Sequence, residues 1–323
     1  MKQIALFERG FDRSIVEPLS GQYGCNRYFI KRDDMLPFSF GGNKARKAAE
    51  FYKEIQKSDI DVVMTYGSNS SNHCRIIANM AAAMGLSCHI ISPEENREVL
   101  YNTRLVEQFG AVIETCPVSL VSETIERRKE AYRAEGKKPY FIMGGGHGNP
   151  GTEGYVKAYR EITEYEKENM TYFDYIFHAS GTGTTQAGLV CGKLLSGDKK
   201  RKIIGISIAR EKERGRQVIK DSIRDYLGDD FERLYSEEDL NFMDDYRLGG
   251  YGRYHDGVKK MIEDVMRMEG IPMDSTYVGK AFWGMCRYIE ENHIKDKNIL
   301  FIHTGGTPLF FDLIGGKNEH SDT

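Results

Sequence analysis

Four short segments carry the residues with chemical potential. Gly41-Gly42-Asn43-Lys44 sets a lysine behind a glycine turn at a helix start. Ser71-Asn72-His73 places a hydroxyl, an amide and an imidazole where a strand passes into a helix. Ser180-Gly181-Thr182-Gly183-Thr184-Thr185 is a second such junction, and His303-Thr304-Gly305-Gly306 a third. An amine, a hydroxyl-amide loop, a phosphate cradle and a late Thr-Gly-Gly are together what a phosphorylated aldehyde cofactor requires.

Each segment has a functional and a plain reading. At a helix start Lys44 would be desolvated and would feel Arg46 and Lys47, both of which favour the neutral amine needed for attack on a carbonyl. The plain reading is an exposed lysine in a first turn. Glycines in the Ser180 loop let backbone N–H groups converge on an anion, while Thr182, Thr184 and Thr185 add hydroxyls. The loop lacks the Gly-Lys-Ser/Thr ending of a nucleotide P-loop. Gln186 stands where a dinucleotide fingerprint wants Gly or Ala, and Ser207-Ile208-Ala209-Arg210 offers no acid for a ribose. A lone phosphate fits best, a purely structural glycine turn being the alternative. Ser71 and Asn72 can bind a substrate carboxylate or simply cap a helix. His73 alone reads as a packed histidine. Tyr251 and Tyr277 stand among small residues, free to project phenols into a cleft or to pack as rings.

The elements that must hold these segments alternate. Helical spacing of Ala48, Ala49, Tyr52 and Ile55 marks a helix over Ala45–Ile55. Val62–Tyr66 reads as a buried strand, followed by a helix over Asn72–Met84 with Gly85 as its C-cap. Strands are expected at Cys88–Ile91, Ala111–Glu114, Phe173–His178, Ile203–Ile208 and Asn298–Ile302. Helices are expected through Leu105 and at Ser122–Ala134, Thr184–Leu195, Val258–Met268 and Gly279–Glu291. Glu211–Arg247 reads as a mostly helical excursion, and Lys317–Thr323 as a frayed polar tail. Strands separated by helical crossovers imply an α/β protein with parallel-rich sheets covered on both faces.

Bulk properties narrow the function. A chain of 323 residues exceeds one minimal core. Net charge of -3 gives no basic field for nucleic acid, and Lys199-Lys200-Arg201-Lys202 reads as a solvated loop. Six scattered cysteines with no Cys-x-x-Cys pair argue against zinc and disulfides and for a reducing compartment. No histidine cluster has metal-ligand spacing, so no metal is expected. No uncharged apolar run reaches the roughly 20 residues of a membrane span. Met1–Arg9 meets a charge before any signal-length apolar run, so a cytoplasmic protein is expected.

Taken in order, Lys31-Arg32-Asp33-Asp34, Gly41–Lys47, Ser71-Asn72-His73-Cys74-Arg75, Gly183–Gly188, Tyr277-Val278-Gly279-Lys280 and His303–Pro308 resemble the D-cysteine desulfhydrase and 1-aminocyclopropane-1-carboxylate (ACC) deaminase family. These are fold-type II pyridoxal phosphate enzymes of the tryptophan synthase β group. The resemblance runs from about residue 5 to residue 313. It implies a smaller α/β domain over 52–153, a larger cofactor-anchoring one over 1–51 plus 154–323, and a homodimer.

The resemblance also implies roles. Lys44 matches the Schiff-base lysine and Ser71 the catalytic serine, with Asn72 beside the cofactor's phenolic oxygen. Gly183, Thr184 and Thr185 match the phosphate cradle, which Gly181 and Thr182 extend. Tyr251 and Tyr277 match the active-site tyrosines, and Thr304 the hydroxyl facing the pyridine nitrogen. Ser71, Asn72 and His73 form the expected substrate loop. Val278 stands where ACC deaminases carry glutamate, and Thr304 where they carry leucine; both point to α,β-elimination on a small D-amino acid such as D-cysteine. Ser70 in place of the usual glutamine, the Gly144–Asn149 loop and the Gly252–Asp256 stretch depart from the desulfhydrase pattern. ACC deamination, β-replacement or racemisation, and a cofactor-binding homologue without catalysis remain the alternatives.

Overall fold

The computed structural model describes residues 7, 11, 13–21, 23, 25–95 and 99–315; the expected polar tail and most of the N-terminal nine residues lie outside these. Two sheets organise the chain. The larger holds β1 (Val16–Pro18), β2 (Arg27–Arg32), β7 (Tyr175–Ser180), β8 (Lys202–Ser207), β9 (Asn241–Met243) and β10 (Asn298–His303). The smaller holds β3 (Val62–Tyr66), β4 (Ser87–Pro93), β5 (Val112–Cys116) and β6 (Pro139–Ile142). Their orders are β1-β2-β10-β7-β8-β9 and β5-β4-β3-β6. All neighbours run parallel except β1, which pairs antiparallel with β2.

The helices are α1 (Asn43–Ile55), α2 (Asn72–Met84), α3 (Tyr101–Gln108), α4 (Val121–Ala134), α5 (Asn149–Glu168), α6 (Thr184–Ser196), α7 (Lys212–Leu227), α8 (Phe231–Leu234), α9 (Asp256–Glu269), α10 (Val278–Glu291) and α11 (Thr307–Gly315). Strand alternation decides which face each covers. In the larger sheet Ile30, Phe177, Ile204 and Phe301 point to the side covered by α9 and α10, through Ile262, Val265, Phe282 and Met285. Their neighbours Phe29, Ile176, Ile203 and Leu300 point to the other side, against Tyr155, Tyr159, Leu189, Val190 and Ile219 of α5, α6 and α7. The smaller sheet buries Val63, Ile90 and Ile142 with α1 and α2, and Val62, Met64 and Ile91 toward Val121 and Ile125 of α4. Both sheets are therefore covered on both faces, as the helix–strand rhythm requires.

Gly85 ends α2 in the left-handed conformation, at φ 71°, where the sequence placed it. Several elements differ from the sequence reading. Strand β7 begins two residues later than expected, which makes Ser180 the strand's end rather than part of the loop. Strands β1, β2 and β6 and helix α5 had no expectation. The excursion after Glu211 is not only helical: β9 closes the sheet's far edge. Among the described residues no helix is long and apolar enough to cross a membrane.

Candidate functional site

Parallel strands deliver their loops to one end of each sheet, and ligands in such folds lie beyond the strands' carboxyl ends. One cavity of about 570 Å³ is lined in that way. Gly67, Ser68 and Ser71 follow β3, Met143 to Gly145 and His147 follow β6, and Gly181 to Gly183 follow β7. Ile208 to Arg210 follow β8, and Thr304 and Gly305 follow β10. The walls also include Lys44, Asn72, His73, Thr185, Tyr251 and Tyr277. Every expected site residue except Thr184 thus meets in one cleft.

Backbone packing brings the segments together. The Asn43 N–H donates to Thr304 O at 2.9 Å. A Cβ on Gly42, at φ 88°, would lie 2.6 Å from that oxygen, and one on Gly305, at φ 98°, would lie 2.8 Å from the Gly42 Cα. Only glycine pairs allow two turns so close, and both need positive φ. The Asn43 amide then donates to Thr185 Oγ1 at 3.0 Å, tying the lysine's helix to the threonine turn. That contact places the amine-bearing helix against the proposed phosphate cradle.

Lys44 sits in the first turn of α1 and donates to Gly145 O at 3.2 Å. Enclosure lowers its amine from 10.5 to about 8, with no cation among the causes. Lys47, fully buried, reaches the same carbonyl at 3.2 Å, and its amine falls well below the usual value through burial and then the charge of Lys44. Arg46 does not act on Lys44 as expected. It turns away to pair with Asp33 and Glu161 at 2.8 and 2.5 Å.

Around the threonine turn, Gly183 caps α6 in the left-handed region at φ 97°, which aims the helix's free N–H groups at the cleft. The Thr185 oxygen already accepts from Asn43, so its proton is free to donate. Thr184 departs from expectation: it is fully buried, and its hydroxyl bonds His147 Nδ1 at 3.0 Å. Ser222 donates its own proton to Val218 O and so accepts from His147 Nε2 at 3.3 Å. Arg210 donates to Thr182 O at 2.7 Å and lines the same wall. Two cations, Lys44 and Arg210, line the cleft, and no carboxylate does among the described residues. Asp274, the acid beneath the tyrosines, is buried and spends its oxygens on the N–H groups of Thr276, Tyr277 and Val278.

On the opposite wall Ser71 is the N-cap of α2, accepting from the His73 N–H at 3.0 Å, so the capping reading of this serine holds. Its hydroxyl also bonds the buried Cys74 thiol. Asn72 Oδ1 accepts from Arg75 and Asn102 at 2.9 and 3.0 Å, which leaves its NH₂ for a ligand. The His73 ring is committed elsewhere. Thr65 donates to Ile142 O and accepts from His73 Nε2 at 2.8 Å, and burial holds the imidazole well below its usual pKa. His73 is therefore a neutral, packed residue rather than a titrating substrate ligand. Tyr251, half exposed, meets Tyr277 with phenol oxygens 2.7 Å apart.

This donor set fits pyridoxal phosphate: an enclosed lysine amine, a glycine-threonine helix start and the Arg210 guanidinium beside it, with no carboxylate in the lining among the described residues. Sequence reasoning missed Lys47, His147 and Arg210. The one signal for them was position, since each follows a glycine turn or a strand's carboxyl end.

Comparison with known proteins agrees with the geometry. The family model for pyridoxal-phosphate dependent enzymes matches residues 15–305. The crystal structure of an ACC deaminase homologue is 30% identical, covers 94% of this chain and 92% of its own, and superposes with a TM-score of 0.82. A hydrogen sulfide-producing enzyme from Fusobacterium nucleatum shares the fold at 17% identity, 91% and 95% coverage and a TM-score of 0.64. So does the cysteine synthase of Entamoeba histolytica, at 18%, 95%, 89% and 0.66. The family model spans most of the chain, the lysine amine and the threonine-lined helix start meet in one cleft, and this chain belongs to the pyridoxal-phosphate dependent enzymes of fold type II.

Proposed function

We propose that the protein is a deaminating lyase that carries out α,β-elimination on a small amino acid, D-cysteine or a related D-amino acid. The products are a 2-keto acid, ammonia and the β-leaving group. When bound, pyridoxal phosphate supplies the electron sink for the pair released as the substrate Cα–H bond breaks. The chain supplies the rest. Gly181, Thr182, Gly183 and Thr185 would hold the phosphate at the start of α6, with Arg210 balancing its charge. Ser71 and the NH₂ of Asn72 orient the substrate carboxylate and the cofactor's phenolic oxygen. The Lys44 amine takes the α-proton, either directly or through the Ser71 hydroxyl. Tyr251 and Tyr277 face the substrate's side chain.

The observation that carries this reading is that no carboxylate lines the cleft among the described residues. Thr304 contributes a hydroxyl beside Gly305, and Val278 is fully buried. An acid at the pyridine end would suit harder bond-breaking, whereas a hydroxyl suits expulsion of a good leaving group such as thiolate. Incubation with D-cysteine, L-cysteine, D-serine and ACC, with keto acid and sulfide measured, tests it. Pyruvate with sulfide from D-cysteine is expected. Keto acid from none of them, with cofactor bound, would sink the proposal. The 30% identity to an ACC deaminase homologue supports ring opening as the second reading, which 2-oxobutyrate from ACC would establish.

Cofactor capture has its own pH signature. Only the neutral amine attacks an aldehyde, and enclosure brings Lys44 to about 8 from 10.5. The rate at which cofactor-free protein takes up pyridoxal phosphate should therefore rise with pH, pass half-maximum near 8 and level off above it. A midpoint near 10.5, that of an exposed lysine, would show that the amine is not enclosed.

A further inference from the structure

Tyr251 hangs from a loop with little regular support. Leu248, Gly249, Gly250 and Gly252 all have positive φ, at 53, 83, 117 and 70°. One side chain reaches this loop from below. Lys280 is fully buried, and its Nζ donates to Gly250 O at 2.7 Å, Arg247 O at 3.1 Å and Ile208 O at 3.3 Å. Its three N–H donors meet three backbone carbonyls, two from the Tyr251 loop and one from the residue after β8.

The position is a costly one. Lys280 lies in the first turn of α10, where the helix dipole disfavours a cation, and burial disfavours it again. Among the described residues no carboxylate forms an ion pair with it. Asp274, the acid closest in sequence, is occupied by the N–H groups of residues 276, 277 and 278. What offsets the cost is the carbonyl cage, with the charge of Asp274 adding to it from a distance. Tyr277, the N-cap of the same helix, holds the Tyr251 phenol at 2.7 Å. One helix end therefore grips the loop twice, by ammonium at its backbone and by phenol at its tip.

We propose that Lys280 is a positioning residue for this site: its ammonium clamps the Tyr251 loop and the end of β8 to α10, and so sets the Tyr251–Tyr277 phenol pair toward the substrate. The effect on turnover rests on the elimination reading; the clamp itself does not. Hydrogen exchange of the cofactor-loaded protein, without substrate, reads the clamp directly. Lys280→Ala should speed exchange across residues 247–254 by at least about tenfold, the factor one charge-assisted hydrogen bond is worth. Methylammonium chloride should restore protection by refilling the cage, and sodium chloride at equal ionic strength should not.

In turnover, Lys280→Ala should lower kcat about as far as Tyr251→Phe, and the double variant should be no worse than either, because both remove one function. Unchanged exchange in the loop, or losses that add in the double variant, would overturn the proposal. Should Lys280→Ala not fold, Lys280→Gln, which keeps two donors, takes its place. If neither folds even with methylammonium present, the lysine serves global stability and the proposal fails. A wild-type protein inactive on every amino acid offered would instead count against elimination and leave the exchange result to decide the clamp.

Discussion

Lys44→Ala is expected to abolish the visible absorbance of the lysine-bound cofactor and to lower kcat/KM by at least about 10²–10⁴-fold, the range that one positioned acid–base group supplies. Two amines compete for the role. Lys44 and Lys47 both lie 3.2 Å from Gly145 O, one helical turn apart. Lys44 lines the cleft, whereas Lys47 is sealed beneath it. The matched variant, Lys47→Ala, should keep the absorbance band, since it removes a buried side chain beneath the cleft rather than the tether. If the band survives in Lys44→Ala and vanishes in Lys47→Ala, the assignments are exchanged. Comparing spectra before rates separates loss of attachment from loss of proton transfer.

The second large effect lies beneath the site. Arg46, Asp33, Glu161, Lys31, Ser14 and Tyr155 form one buried network. Lys31 pairs with Glu161 at 2.6 Å, Arg46 with both acids, and Tyr155 donates to Asp33 at 2.7 Å. Removing one partner of such a set leaves a charge without compensation. Arg46→Ala should therefore destabilise the protein by about 3–5 kcal/mol, seen as a lower urea midpoint with unchanged slope. A loss below about 1 kcal/mol would mean that water reaches the acids. The same network gives acid sensitivity. Burial pushes the Asp33 carboxyl up, but Arg46 and then Lys31 bring it down to about 2 from 3.8. Between these values the unfolded chain binds more protons than the folded one, so stability falls as pH drops from about 4 to about 2. The Gly42 N–H donates to Asp33 O at 2.6 Å, which ties this network to the turn that presents Lys44.

Much of the site was legible because its chemistry sits in local signals. The Ser71 cap, the Gly85 stop and the glycine pairs at 41–42 and 305–306 each mark a backbone need that few residues meet. What was hidden depends on distant partners. Arg27–Arg32 has charged ends and a short apolar centre, and nothing local says that Lys31 is buried against Glu161, 130 positions on. Arg46 and Lys47 look alike beside Lys44, yet the helix turns one into an ion pair and the other under the cleft. Helix α5 opens with Asn149-Pro150-Gly151 and carries Gly154, so its composition reads as a loop although proline suits a helix's first positions. Thr184 and Thr185 are indistinguishable by type; one extra residue of helical rotation sends the first hydroxyl to His147.

Strand order carries a consequence for biosynthesis. The strand made last among those described, β10, lies in the middle of the larger sheet, between β2 and β7. Until residue 303 has left the ribosome, the early and late parts of that sheet present two raw edges with no bridge between them. The cofactor pocket closes later still, because Thr304 and Gly305 supply its final wall. Vitamin capture must then follow synthesis rather than guide it, and chains stalled short of that strand would be substrates for chaperones.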